Sequence, residues 1–393
     1  MSDSKQGLEI ALFDFQSHAS MHLNFNEGYI RSLRSAYPDD RILFHACTGH
    51  VAELQTRLRD VGNVEFLSIE PFKVPFGWSR HNPVGGRWAA WQCRKTMLAS
   101  LKSRRLRSVA LLGEDGHLYA VIGRRWHELS SKLNKAPLHM ILHNHLGDAV
   151  RWRSRNPFIR GTDMVAQVQK PLPSNVRILA LELGVKEAIA ERFPAILPAV
   201  RTLEHPSLVS EWTVAKDEAS DAARPTRIAF LGNASRTKGF NVFLSVANAC
   251  ADDSFEFHAI GIDCGILDGI EALARRPAKG GLPRRDYIAA LADMDFVCLP
   301  LSSLEYAFIA SGSVTDAIAA AKPLLALRTR TLEGIFERYG PVGYLADTPQ
   351  ELIDYVKDHA QDMRDNRALW VANMQKVRAA RSPEALGVVC REF

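Results

Sequence analysis

Two stretches hold residues whose types and spacing suit a single chemistry. The first is Gly232-Asn233-Ala234-Ser235-Arg236-Thr237-Lys238-Gly239, a loop of small residues with two cations. It stands between an apolar run, Arg227 to Leu231, and a helical pattern, Phe240 to Cys250. The second runs from Asp286 to Pro323. There the apolar run Phe296 to Pro300 leads into a polar loop with Glu305, Ser311, Gly312 and Ser313. An alanine-rich helix, Val314 to Ala321, follows and is stopped by Lys322-Pro323. Strand, small-residue loop and helix start in that order leave free backbone N–H groups beside the positive end of a helix dipole. Such a point suits an anion, most often a phosphate. Arg236 and Lys238 are of the right type to pair with a diphosphate. Asp316, expected in the first helical turn, suits the dipole there and could accept hydrogen bonds from a ribose. No Walker loop is present, because G-x-x-x-x-G-K-[ST] is absent. Without a ligand, the second stretch reads equally well as a capped strand-to-helix crossover.

Histidine supplies the second chemical theme. His18, His22, His143, His145 and His205 all fall where strands are expected to end, together with Glu114, Asp115 and Asn144. Histidine titrates near neutrality and can serve as a general base. No H-E-x-x-H or other tight ligand spacing occurs, so no metal site is expected.

The elements that must carry these residues alternate throughout. In the first half, strands are expected at Glu9–Phe15, Arg41–Cys47, Val64–Ile69, Ser108–Leu112, Leu138–His143, Val176–Leu181 and Val200–Leu203. Helices are expected between them, including Glu27–Ala36, Trp88–Leu101, Trp126–Leu133 and Lys186–Phe193. The second half repeats the alternation from Arg227. Several strands are apolar on both faces, as in a parallel sheet covered on both sides. The expected fold class is therefore α/β, with two Rossmann-like doubly wound parallel-sheet domains facing a cleft. Ligands in such sheets sit beyond the C-terminal strand ends.

The expected domains are residues 1–206, a polar linker at 207–226, a second domain at 227–365 and a C-terminal segment at 366–393. In that last segment Leu369, Trp370, Met374 and Val377 share a helix face expected to pack back on the first domain. Residues 151–174, with three prolines and several arginines, read as a long excursion, which in a compact domain is usually functional or mobile.

The chain has 393 residues, 47% hydrophobic and 24% charged, which are globular values at a two-domain length. No apolar run is long enough for a signal peptide or a membrane span. Six cysteines lack CxxC spacing, so a reduced, cytoplasmic setting is expected rather than a disulfide scaffold. The net charge of +5 divides unevenly: by residue count the part up to His205 carries roughly +9 and the remainder roughly −4. Basic residues gather at Lys102, Arg104, Arg105 and Arg107, at Arg124-Arg125-Trp126, and at Arg151-Trp152-Arg153-Ser154-Arg155. Arginines beside tryptophans suit an anionic membrane surface or a phosphorylated acceptor. Nucleic acid is not expected as a partner, because the negative second half offers no matching basic groove.

The motifs together resemble the donor domain of GT-B nucleotide-sugar glycosyltransferases, nearest the large retaining family 4 that includes bacterial polysaccharide and lipid glycosyl transfer. The matching residues are FLGNASRTKG (Phe230 to Gly239), LPRRDYIAALADMDFVCLP (Leu282 to Pro300) and SGSVTDAIAAAKPLLAL (Ser311 to Leu327). LHMILHN (Leu138 to Asn144) and VRTLEHP (Val200 to Pro206) match more loosely, so the likeness spans essentially the whole chain. The resemblance implies a donor site at Gly232, Asn233, Arg236, Lys238, Pro283, Ser311, Gly312, Ser313 and Asp316. Lys238 falls on the diphosphate lysine, Pro283 near the nucleobase, and Asp316 on the second carboxylate of a Glu-x7-Glu pair. His143 falls on the active-site histidine, with His18, His22 and Asn144 on the acceptor side.

Two positions depart from the pattern. Asn233 stands where an arginine is usual, and Phe308 stands where the first glutamate of the pair falls. The implied reaction moves a hexose from a nucleotide diphosphate sugar to a hydroxyl of a glycan or lipid-linked acceptor, without metal or other cofactor. The implied setting is bacterial exopolysaccharide or lipopolysaccharide assembly, with the protein cytoplasmic and peripheral at the inner membrane face. Stereochemistry stays open: His143 is a base if the enzyme inverts and a sugar-binding group if it retains. An epimerase or hydrolase of the same fold, or a non-catalytic nucleotide-sugar-binding protein, are the alternatives.

Overall fold

In the computed structural model the described residues are 7–17, 21–72, 83–113, 115–143, 146–147, 163–208, 212, 224–250, 254–266 and 268–393. The expected residues His18, Glu114, Asn144 and His145, and the Arg151–Arg155 cluster, lie outside them. The chain divides into two compact units. One comprises residues 1–206, 308–310 and 383–393, and the other 207–307 and 311–382.

Among the described residues the first unit holds seven parallel strands: β1 (Glu9–Phe13), β2 (Arg41–Cys47), β3 (Val64–Ile69), β4 (Leu106–Leu111), β5 (Leu138–Leu142), β6 (Val176–Ala180) and β7 (Val200–Thr202). Their order is β3-β2-β1-β4-β5-β6-β7. The central strands β1, β4 and β5 are buried along nearly their whole length. Unbroken apolar runs are what a sheet covered on both faces requires. The order reverses between β1 and β4, so the crevice outside their carboxyl ends is this unit's natural ligand position.

Among the described residues the second unit holds six parallel strands: β8 (Thr226–Leu231), β9 (Phe255–Ile260), β10 (Leu273–Arg275), β11 (Phe296–Leu299), β12 (Leu324–Leu327) and β13 (Gly343–Ala346). The order is β10-β9-β8-β11-β12-β13, and its switch point lies between β8 and β11. The short edge strand β10 was not expected, because only Leu273 of its three residues is buried and the segment holds no apolar run. Lys322 fixes the corner before β12. Its ammonium donates to the carbonyls of Ala292 and Met294, both at 2.6 Å, at the end of helix Arg284–Ala292. Burial there pushes the Lys322 ammonium down to about 8.

Several expectations need correction. The helix expected at Glu27–Ala36 begins four residues earlier, at Leu23. His22 in the left-handed conformation turns the chain into the helix, and buried Leu23 and Phe25 belong to its core face. The C-terminal segment is not one element. Helix Ala360–Ala380 belongs to the second unit, where Trp370, Met374 and Val377 join its cores while Leu369 is exposed. Helix Pro383–Cys390 instead packs on helix Leu23–Ala36, where Tyr37 Oη donates to the Cys390 carbonyl at 2.9 Å.

Trp126 is not a surface anchor. It is fully buried, and its indole Nε1 donates to the Ala136 carbonyl at 2.8 Å. Arg124 beside it donates to the carbonyls of Gln167, Lys170 and Pro171. Arg104 pairs with Glu9 at 2.9 Å and Arg107 pairs with Asp40. Arg104, Arg107 and Arg124 thus help tie the first unit together through carboxylates and carbonyls, while Lys102, Arg105 and Arg125 are exposed. Among the described residues no helix is long and apolar enough to cross a membrane.

Candidate functional site

The second unit's switch point gathers most of the expected donor residues. β8 ends at Leu231, and Gly232 follows with φ 88°. The positive φ calls for glycine there, and a side chain at Gly232 would also displace Lys238 Nζ and Ser313 Oγ. The chain then makes one short turn, Arg236–Lys238, ended by Gly239 at φ 77° against the Pro300 backbone. That turn folds Lys238 back over Gly232. Its ammonium lies 2.5 Å from Ser313 Oγ and 3.4 Å from the Leu231 carbonyl, and Ser313 Oγ donates to the same carbonyl at 3.0 Å. Ser313 sits in the first turn of helix Gly312–Ala319. The three elements of the site, strand end, loop cation and helix start, therefore meet at one carbonyl.

The electrostatics follow from burial. Desolvation pushes the Lys238 ammonium down to about 8, against the opposing pull of Asp316. A lysine so placed would gain from an anion that restores its charge. Ser311, the N-cap residue, is 8% exposed and makes no side-chain cap hydrogen bond. Its hydroxyl oxygen is buried and unpartnered. The helix N–H groups and that hydroxyl give an acceptor-rich ligand donors beside one cation. Gly312 is exposed at this end, and so are Asn233 and Arg236 at the rim of the loop.

Asp316 differs from expectation. The helix starts at Gly312, so Asp316 lies in the second turn, where the dipole has little effect. What holds it is a set of side chains. Arg284 Nη1 and Nη2 both lie 3.3 Å from Oδ1, and the Tyr287 hydroxyl donates to Oδ2 at 3.0 Å. Burial pushes its carboxyl up, and Arg284 is the largest influence pulling it back. Pro283 is the exposed N-cap residue of helix Arg284–Ala292 that carries both partners. Phe308, where the family's first glutamate falls, is a buried core residue of the first unit, its ring 5.5 Å from Phe193.

In the first unit the structure brings two of the expected histidines together. The rings of His22 and His143 stack at 4.2 Å and 17°. Phe25 meets His143 edge-on at 4.5 Å and meets His205 at 5.2 Å. Burial lowers the His22 pKa, while the Asp14 charge opposes the shift, so His22 is a neutral base near pH 7. Below it lies a polar network that sequence reasoning missed. Asp14, just after β1, accepts from Asn26 Nδ2 at 2.8 Å and from Ser17 N at 2.9 Å. Asn26 Nδ2 also lies 2.9 Å from His50 Nε2. All three side chains are essentially buried. The available signal was Asp14 itself, a carboxylate in an otherwise apolar strand run. Among the described residues no group of three or more His, Cys, Asp or Glu is placed to hold a metal ion. An open cavity of about 880 Å³ between β3 and helix Pro83–Leu101 contains none of the expected site residues.

No protein-family model and no curated protein sequence matches the chain. Solved structures do. HepE from Anabaena, in complex with UDP, shares 14% identity over 98% of this chain and 99% of its own, with a TM-score of 0.61. WaaG, a glycosyltransferase involved in lipopolysaccharide biosynthesis, shares 10% identity over 98% of each chain, with a TM-score of 0.60. The catalytic domain of starch synthase IV from Arabidopsis thaliana, bound to ADP and acarbose, shares 10% identity over 98% of each chain, with a TM-score of 0.68. At such low identity a likeness covering nearly the whole of both chains speaks to architecture: this chain has the two-unit α/β fold of GT-B glycosyltransferases.

Proposed function

We propose that the protein is a glycosyltransferase that moves a hexose from a nucleotide diphosphate sugar to a hydroxyl of a glycan or lipid-linked acceptor. The observation that carries this reading is the Lys238 site. A half-buried ammonium, depressed to about 8, sits over a glycine of positive φ and shares one carbonyl with the first turn of a helix. It stands at the switch point of a sheet whose fold is shared with proteins bound to UDP and ADP. In this reading Lys238, exposed Arg236 and the N–H groups at Gly312 to Val314 stabilise the leaving diphosphate electrostatically as its charge develops. No divalent ion is required by that scheme.

The first unit supplies the acceptor chemistry. Paired His22 and His143 offer a neutral imidazole to take the acceptor proton in an inverting reaction. In a retaining reaction His143 binds the sugar instead. Membership of the retaining family 4, a role in bacterial polysaccharide or lipopolysaccharide assembly, and a place at the cytoplasmic membrane face belong to the same reading. WaaG supports the pathway by its own role.

The test is a panel of UDP-, GDP-, ADP- and dTDP-sugars scored for thermal stabilisation, followed by transfer assays with the stabilising donor. One donor class should raise Tm, and EDTA should leave turnover unchanged. Stabilisation by none of them, or activity lost to EDTA and restored by a divalent ion, removes the corresponding part.

A further inference from the structure

The diphosphate reading leaves Arg284 unused, yet Arg284 places two nitrogens on Asp316 and is the largest influence toward its ionised form. Arg284 and Tyr287 stand three residues apart on helix Arg284–Ala292 and so project from one face. Both reach Asp316 on the neighbouring helix, Arg284 at Oδ1 and Tyr287 at Oδ2. The guanidinium is itself held: its carbon lies 5.2 Å from the Trp212 ring and 5.4 Å from the Tyr287 ring. Trp212 is 5% exposed, so one wall of that clamp is fixed in the core. An ionised carboxylate offers about four acceptor positions. Two nitrogens of Arg284 take Oδ1 and one hydroxyl takes Oδ2, which leaves Oδ2 a free lone pair. The Asp316 side chain keeps 18% of its surface accessible, so the carboxylate is not sealed off from a solute.

We propose that Arg284 is a positioning residue for the nucleoside: with Tyr287 it fixes the Asp316 carboxylate so that Oδ2 stays open to a ribose hydroxyl. The inference rests on the diphosphate reading of the Lys238 site. It also explains how a carboxylate whose burial favours the proton serves as an acceptor. The charged or titratable groups facing Asp316 are Arg284 and Tyr287 from one helix and Lys238 from the loop after β8. Of these, Arg284 exerts the largest pull toward the ionised form.

The experiment compares two probes on the full chain by calorimetry. One is inorganic pyrophosphate, which can use Lys238 but has no ribose. The other is whichever of UDP, GDP and ADP binds the wild type best. Arg284→Gln should weaken the nucleoside diphosphate about tenfold or more, the scale of one hydrogen bond to a charged group. Pyrophosphate should stay within about twofold. Arg284→Lys, which keeps the charge but not the forked contact, should recover part of the loss.

Equal loss of both probes would mean Arg284 merely shapes the site, and no loss would mean it is idle; either overturns the proposal. A wild type that binds both probes equally removes the ribose contact while sparing the diphosphate site. A wild type that binds neither removes both. Asp316→Asn, checked for an unchanged melting profile, gives a second route, since it should lose the same nucleoside preference without touching Arg284.

Discussion

Raising the pH from 7 to 9 should weaken binding of a nucleoside diphosphate about tenfold, and Lys238 should be the reason. Burial beside Ser313 and the Leu231 carbonyl brings its ammonium down to about 8. With that value about ten elevenths of the lysine is charged at pH 7 and about one eleventh at pH 9. If only the ammonium form binds the diphosphate well, the apparent Kd rises by that ratio, or about 1.4 kcal/mol. A lysine at its ordinary value would stay charged across this range, and the curve would be flat. Secondary phosphate ionisation, with a pKa of about 6, is complete before the window opens. Cys264 lies close enough to influence Lys238, so the series should be repeated in Cys264→Ser. The assay is calorimetry at pH 7, 8 and 9 in two buffers of different ionisation heat, which also reads the proton taken up on binding at high pH. Lys238→Met should bind weakly at pH 7 and show no slope. A flat wild-type curve, or a slope that survives in Lys238→Met, would refute the assignment of the anion to this lysine.

Other outcomes can be stated briefly. Gly232→Ala should cost about 1–3 kcal/mol in urea unfolding, because it combines a positive φ with a collision at Lys238 and Ser313; a neutral result would mean the loop relaxes freely. Asp14→Ala should cost about 3 kcal/mol or more, since it strands buried Asn26 and the loop N–H of Ser17, and wild-type stability would show the network to be idle. Trp126→Phe should lower Tm while leaving sedimentation with anionic vesicles unchanged, because the indole is a core group; reduced vesicle binding in a fully folded variant would contradict that placement. Lys322, like Lys238, is depressed to about 8 against an unfolded value near 10.4. The unfolded chain then binds more protons between those values, so each lysine makes stability rise with pH across the window. Lys322→Met should lose part of that rise, seen in denaturant midpoints at pH 7.5 and 9.5, and an unchanged slope would exclude Lys322 as a source.

The sequence carried the periodic information. Alternating apolar runs and helical patterns are local, because a doubly covered parallel strand must be apolar on both faces, so strands such as β1, β5, β8 and β11 were readable within a residue or two. Both loops of the donor site were readable for the same reason: Gly232, Gly239 and the small residues before Val314 answer to backbone geometry, which glycine and serine announce. β10 was not legible, because Leu273 is its one buried residue and it pairs only once β9 exists. The start of the helix at Leu23 was hidden by His22, a non-glycine residue in the left-handed conformation whose ring stacks on His143.

Side-chain partnership was decided by tertiary structure alone. Asp316 was visible as a carboxylate near a helix start, but its hold by Arg284 and Tyr287 brings together residues about thirty positions apart. Arg124, Trp126 and Arg107 read as surface charge and aromatic, yet carbonyls and carboxylates contributed by other elements draw them inward. Asp14, Asn26 and His50 form a network only because one strand end and two helix starts converge. The chain's own pattern thus set where strands, turns and phosphate-type loops fall, since those depend on neighbours a few residues away. Which charges are buried, paired and shifted depends on neighbours distant in sequence, and folding alone supplies them.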